Sequence, residues 1–162
     1  MSTSRAAIVT VALLVLEWSV PLWGAEEWRQ LKFDARRSGN AAERSLASPL
    51  GLLAAVPLSD AVLAAPVVAR GKVYAIDGSG VVWAIDAADF HVAWRFATAG
   101  GAKNVNNVSS PAVVDRYLHV GTTGGIYYVL DADTGKVVRE IDCGEPIFSA
   151  PAVGDGRVYF AT

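Results

Sequence analysis

At 162 residues, with 52% hydrophobic and 19% charged side chains, the chain has the composition of a folded domain and not of a disordered one. Its formal charge of −2, with Lys and Arg scattered along it, excludes the clustered basic face that nucleic-acid binding requires. The single cysteine, Cys143, excludes an intrachain disulfide framework and a multi-cysteine metal site.

The N-terminus predicts export. Arg5 supplies a positive charge, and Ala6 to Leu16 is an apolar stretch of 11 residues, which Glu17 interrupts well short of the ~20 residues needed to span a membrane. Gly24-Ala25 is the best cleavage site, giving a signal peptide over residues 1–25. Trp23 and Leu22 fit that site poorly, so a retained anchor is the alternative. No cysteine stands close behind the apolar stretch, which argues against a lipid anchor. The body is expected to be exported, periplasmic or extracellular, and tethered to a membrane only if the segment is uncleaved.

Residues 26–63 read as a lead-in. Trp28 to Asn40, W-R-Q-L-K-F-D-A-R-R-S-G-N, has mixed charge and no sustained periodicity, so it is mostly loop. Arg36 and Arg37 are candidate ligand contacts. The simpler reading packs Trp28 and Phe33 on the first blade and leaves both arginines solvated. Leu52 to Leu58 has strand length and is a candidate closing strand.

From Ala64 onward the chain is all strand and turn. Strands are expected at 65–69, 72–76, 81–85 and 92–97, then at 110–114, 117–121, 126–130 and 137–142, then at 149–153 and 157–161. Tight glycine-bearing turns such as Asp77-Gly78-Ser79-Gly80 separate them. A shift of 45 residues sets Pro66 on Pro111, Gly80 on Gly125 and Asp86-Ala87 on Asp131-Ala132, and a shift of 40 sets Ser109 and Pro111 on Ser149 and Pro151. Short strands repeating at this period mark β-propeller blades of four antiparallel strands. The fold class is therefore all-β, with blades over about 64–97, 109–142 and a partial one over 149–162. Closed propellers need about four to eight blades, so two and a half imply an incomplete ring and the front part of a longer protein.

The motifs Asp131-Ala132-Asp133-Thr134-Gly135-Lys136, Ser149-Ala150-Pro151-Ala152-Val153 and Gly156-Arg157-Val158-Tyr159 resemble the pyrroloquinoline-quinone-like (PQQ-like) repeat family, over about residues 64–162. The first copy keeps the terminal tryptophan of these repeats as Trp94 but has Asp89-Phe90-His91 in place of Thr-Gly-Lys. The second keeps that turn and has Arg139 at the tryptophan position. Asp86 and Asp131 are expected to bond backbone N–H groups two residues on, which starts a turn. Gly80, Gly125 and Gly135 are expected to supply positive φ, and Trp94 to pack between blades. As paired catalytic carboxylates the two aspartates are poor candidates, because each belongs to its own blade.

Family members that bind the quinone are alcohol or sugar dehydrogenases with a divalent cation beside it, held by glutamate, asparagine and aspartate around the propeller axis. The alcohol-dehydrogenase branch adds adjacent cysteines, which this chain lacks. Asn104, Asn106 and Asn107 form the one amide cluster that could offer oxygen to a cation, with turn chemistry as the simpler reading. His91 and His119 are isolated and support neither a metal pair nor an acid–base dyad. Cys143 reads as a buried, passive thiol. No catalytic residue or metal ligand is assigned. The sequence points to an exported, non-enzymatic propeller that binds a protein partner or small ligand. The alternatives are a quinone-dependent dehydrogenase fragment, with pyrroloquinoline quinone and a divalent cation as cofactors, and a polysaccharide-binding propeller.

Overall fold

The computed structural model describes residues 27–42, 45 and 48–162, so the predicted signal segment 1–25 lies outside the described residues. Among the described residues, ten strands form three antiparallel sheets. The first sheet has the order β1 (Val67–Ala69), β2 (Lys72–Ile76), β3 (Val81–Asp86), β4 (Val92–Ala97). The second has the order β5 (Ala112–Val114), β6 (Tyr117–Gly121), β7 (Ile126–Asp131), β8 (Val137–Asp142), and the third pairs β9 (Ala152–Gly154) with β10 (Arg157–Tyr159). These are two four-stranded propeller blades and the first hairpin of another. A single 3₁₀ turn, Gly101–Lys103, is the only helical element among the described residues.

The repeat holds in backbone detail. Both full blades carry a register shift between their third and fourth strands, at Ala84/Ile85 and at Val129/Leu130, positions 45 residues apart. Gly80 and Gly125 turn the second strand into the third at φ +83° and +84°. Asp86 accepts the N–H of Ala88 and Asp131 accepts the N–H of Asp133, as the turn reading requires. The first strands of successive blades touch, β1 to β5 and β5 to β9, and so form the hub about which the blades are set.

The core lies between the first two sheets. Val67, Tyr74, Ile76 and Val82 of the first blade pack with Leu118, Val120, Tyr128 and Leu130 of the second. Blade strands are covered on both faces, which explains apolar runs such as Val81-Val82-Trp83-Ala84-Ile85 where strict alternation would otherwise be expected. Leu118 is fully buried, and Leu118→Ala is expected to cost about 3 kcal/mol in urea unfolding.

Trp94 joins the two blades. Its Nε1 donates to the carbonyl of Ala132 at 3.0 Å, and Tyr74 donates its hydroxyl to the same oxygen at 3.1 Å. A Cβ on Gly135 would lie 2.6 Å from Trp94 Cε3, and Gly135 has φ +70°. Glycine is needed there for both reasons. At the outer edge, β8 is exposed along its whole length.

Three sequence expectations are corrected. Residues 52–58 form no strand, and Leu52 and Leu53 are 87% and 86% exposed, because no described strand lies alongside to accept the ladder. Arg37 is not left to solvent alone: it is half-buried, and its Nη2 donates to the carbonyl of Ala150 at 2.6 Å. Cys143 lies just past the end of β8 and is half-buried, with its Sγ near the carbonyl of Ile141.

Candidate functional site: the hub and its two ends

The hub is occupied by the chain's own lead-in. Trp28 exchanges both backbone hydrogen bonds with Val68 of β1. Arg29 accepts the N–H of Val113 in β5 at 2.7 Å. The Gln30 side chain accepts the N–H of Val153 in β9 at 3.1 Å and donates back to its carbonyl. Val68, Val113 and Val153 are the same position in three copies of the repeat, so three consecutive lead-in residues address three consecutive blades. An inner strand has a free hydrogen-bonding edge, and pairing that edge satisfies groups that would otherwise need water. Sequence reasoning missed this, because nothing in the lead-in marks which strand it meets. Trp28 does lie on the first blade as expected, with Phe33 packed against its ring at 5.2 Å between centroids.

The ends of the hub differ in chemistry. At the end carrying the turns between first and second strands, charges cross-link the blades. Arg70 of the first blade pairs with Asp133 of the second at 2.7 Å, and Lys72 reaches the same carboxylate. Within the second blade, Arg116 pairs with Asp131. The Arg116 guanidinium, with help from Thr134, holds Asp131 down at about 2. An acid depressed in the folded state stabilises above its ordinary pKa near 3.8, and that contribution is lost as pH falls from there towards 2. Asp131→Asn is expected to flatten this part of the acid-unfolding curve and to leave neutral-pH cooperativity intact, as a pH series of urea midpoints would show.

A cavity of about 440 Å³ lies between the second blade and β9–β10, lined by Arg29, Gln30, Asp115, His119, Asp155 and Val158 among others. His119 is buried, which pushes its pKa below the ordinary histidine value, and its Nδ1 meets the Tyr127 hydroxyl at 3.2 Å. His119 is the repeat counterpart of Tyr74. It belongs to the face between blades, where its ring packs with that of Tyr127. His91 is exposed beside Asp89 at a turn.

The opposite end carries the loops that lead into each first strand. Here the amide side chains of Asn104 and Asn107 brace the turn between the second blade's second and third strands. Asn104 is buried; its side-chain oxygen accepts the N–H of Gly124 and its amide donates to Thr98. Asn107, fully buried, accepts the N–H of Thr123 and donates to the carbonyl of Asn104, while the Thr123 hydroxyl donates to the carbonyl of Val105 at 2.8 Å. Asn106 is exposed, at φ +55°. The side-chain oxygens of Asn104 and Asn107 thus accept from protein donors, and as placed they do not form with Asn106 a ready set of oxygen ligands for a cation. Among the described residues no group of three His, Cys, Asp or Glu side chains is placed to hold a metal ion, and no helix is long and apolar enough to cross a membrane.

The loops at this end bond to one another around the hub. Ala65 donates its N–H to Ser110 Oγ, its neighbour's equivalent residue, and Ser109 donates its hydroxyl to the carbonyl of Ser149. Asp77, fully buried at the foot of the first blade's second turn, takes five hydrogen bonds, from Ser59, Ser79 (two), Val81 and Trp83. Burial pushes its pKa up, and the donors more than offset that and hold the carboxylate below its ordinary range.

Comparison with known proteins fits this geometry. The family model described as outer membrane protein assembly factor BamB matches residues 52–162. Among solved structures, BamB from Moraxella catarrhalis is 26% identical with a TM-score of 0.55, over 65% of this chain and 32% of that one. The quinohemoprotein alcohol dehydrogenase ADHIIG from Pseudomonas putida HK5 and the quinohemoprotein alcohol dehydrogenase from Comamonas testosteroni are 23% and 24% identical, each with a TM-score of 0.61 over 82% of this chain and 22% of theirs. The chain thus spans about a third or less of the length of these structures. No match was found among curated protein sequences. With the family model covering the repeats from end to end, and with blades, turns and inter-blade tryptophan in place, the chain belongs to the PQQ-like repeat β-propeller family described by outer membrane protein assembly factor BamB.

Proposed function

We propose that the chain is an exported, non-enzymatic propeller that serves as a binding scaffold for other proteins. One observation carries this reading: the polar groups at the hub are committed to the fold. The lead-in bonds to Val68, Val113 and Val153, and Asn104 and Asn107 give their oxygens to Gly124 and Thr123. A quinone and its cation would need such groups free. The resemblance to a protein named as an outer membrane assembly factor supports partners of the same kind, proteins handled in envelope assembly. Export rests on the apolar stretch Ala6 to Leu16 behind Arg5.

The same fold hosts dehydrogenases, and fold alone does not choose between them. Reconstitution with pyrroloquinoline quinone and calcium, followed by dye-linked oxidation of alcohols and sugars, separates the two. The scaffold reading predicts no turnover above the protein-free blank. Turnover that requires both quinone and calcium would overturn it.

A further inference from the structure

The three loops that enter the first strands share a feature not used in building the fold. Three residues before the proline of each copy, at Pro66, Pro111 and Pro151, stand Leu63, Val108 and Phe148. All three are large, apolar and open to solvent, at 52%, 40% and 60% exposure. The next residues, Ala64 and Ser109, are buried, so the outward projection is set by the backbone of the repeat. The hydrogen bonds from Ala65 to Ser110 and from Ser109 to Ser149 lie within two residues of these side chains. They tie neighbouring loops together, so the three loops that carry these residues follow one another in an arc around the hub mouth. Val62 and Val105, 45% and 49% exposed, lie in the same loops.

Scattered exposed apolar residues are ordinary on a protein surface, but the same offset in every copy at one end of a hub is not scatter. We propose that this arc is a docking surface for an uncharged aliphatic segment of a partner protein. The proposal rests on the scaffold reading and names the surface that would perform it.

Charge selects the occupant. The three loops contribute one exposed lysine, Lys103, against Asp60 and Glu145, and the lead-in adds Arg37, whose guanidinium is held by the Ala150 carbonyl. A surface so nearly balanced has no cluster of cations with which to hold an anionic membrane or a nucleic acid. It also offers no charged stripe to attract a charged peptide. Complementarity therefore favours a neutral segment whose aliphatic side chains cover Leu63, Val108 and Phe148.

The test uses the full chain and a fluorescent peptide of alternating leucine and serine, read by anisotropy, with an asparagine and serine peptide as its polar control. The leucine peptide is expected to bind and the control is not. Leu63→Asp, Val108→Asp and Phe148→Asp are each expected to weaken binding by about tenfold or more. Val138→Asp, an equal change on the exposed outer strand β8, is expected to leave it unaltered. Leu63→Ser and Phe148→Ser, which add no charge, are expected to weaken it in the same direction, and unchanged thermal unfolding of each variant shows that the fold is intact. Absence of leucine-peptide binding, or binding indifferent to the arc variants, would overturn the proposal. So would finding that the arc variants abolish instead self-association in sedimentation or binding to phosphatidylglycerol vesicles. These outcomes leave the scaffold reading standing, whereas quinone-dependent turnover would remove that reading whatever the peptide does.

Discussion

Asp77→Asn is expected to lower the stability of the chain by about 3 kcal/mol, although the two side chains have the same shape. Asp77 is fully buried and surrounded by donors alone: Ser79 and Val81 N–H groups and the Ser79 hydroxyl on Oδ1, the Ser59 hydroxyl and Trp83 Nε1 on Oδ2. An amide has one acceptor atom. Whichever way it turns, its NH2 group faces donors: with the oxygen at the Oδ1 place the Trp83 N–H loses its partner, and with it at the Oδ2 place the Ser79 and Val81 N–H groups lose theirs. Each buried donor left unpaired costs about 1–3 kcal/mol. A typical domain is stable by only about 5–15 kcal/mol, so urea unfolding would show the loss clearly. A change below about 1 kcal/mol would mean that water reaches Asp77 and the five-donor geometry is not maintained in solution.

Trp94→Ala is expected to cost about 3 kcal/mol, nearly all of it at the junction between the first two blades. The indole covers Gly135 and donates to Ala132, and its ring lies 6.0 Å from that of Tyr74, between centroids. Truncating a buried aromatic ring costs about 3–5 kcal/mol, and the lower figure suits a side chain that is only partly buried. Gly135→Ala tests the same contact from the other side. Its Cβ would drive into the indole, and its backbone would be strained at φ +70°. A loss of about 2 kcal/mol follows from overpacking and strain together. The two changes touch, so the double variant is expected to lose less than their sum. Trp94→Phe keeps a ring and loses the N–H; its cost is expected near 1 kcal/mol. If Trp94→Ala and Gly135→Ala prove strictly additive, the indole does not dock on that glycine.

The strands were readable because turns bracket them. Glycine, Asp-Gly and Thr-Gly pairs mark where each ends, and the expected ends of β2, β4, β6 and β8 agree with the structure. The inner strands β1, β5 and β9 begin later than the apolar pattern suggests. Their first residues, around Pro66, Pro111 and Pro151, bond across to neighbouring loops instead of along a ladder. Proline without an N–H is suited to that place. The role of Trp94 was legible from its place in the repeat.

What was not legible depends on partners far away in sequence. Asp77 reads as a turn former, and that is correct, but its Ser59 partner lies in a lead-in with no pattern to fix its path. Arg37 meets Ala150 across 113 residues of sequence. Leu52 to Leu58 has the composition of a strand, yet strand formation needs a neighbour as well as propensity. The apolar arc was within reach: aligning the copies on their prolines puts Leu63, Val108 and Phe148 in one column. Only the structure shows that the column faces water.

We propose that the lead-in, bonded along the inner strands of three successive blades, leaves the hub closed to a quinone. Hydrogen exchange of the Val68, Val113 and Val153 amides tests it most directly, since each donates to one of the residues Trp28, Arg29 and Gln30. All three are expected to exchange about a thousandfold or more slowly than free amides, with no change when pyrroloquinoline quinone and calcium are added. Exchange at the rate of open amides, or protection that shifts as quinone is taken up, would contradict the claim.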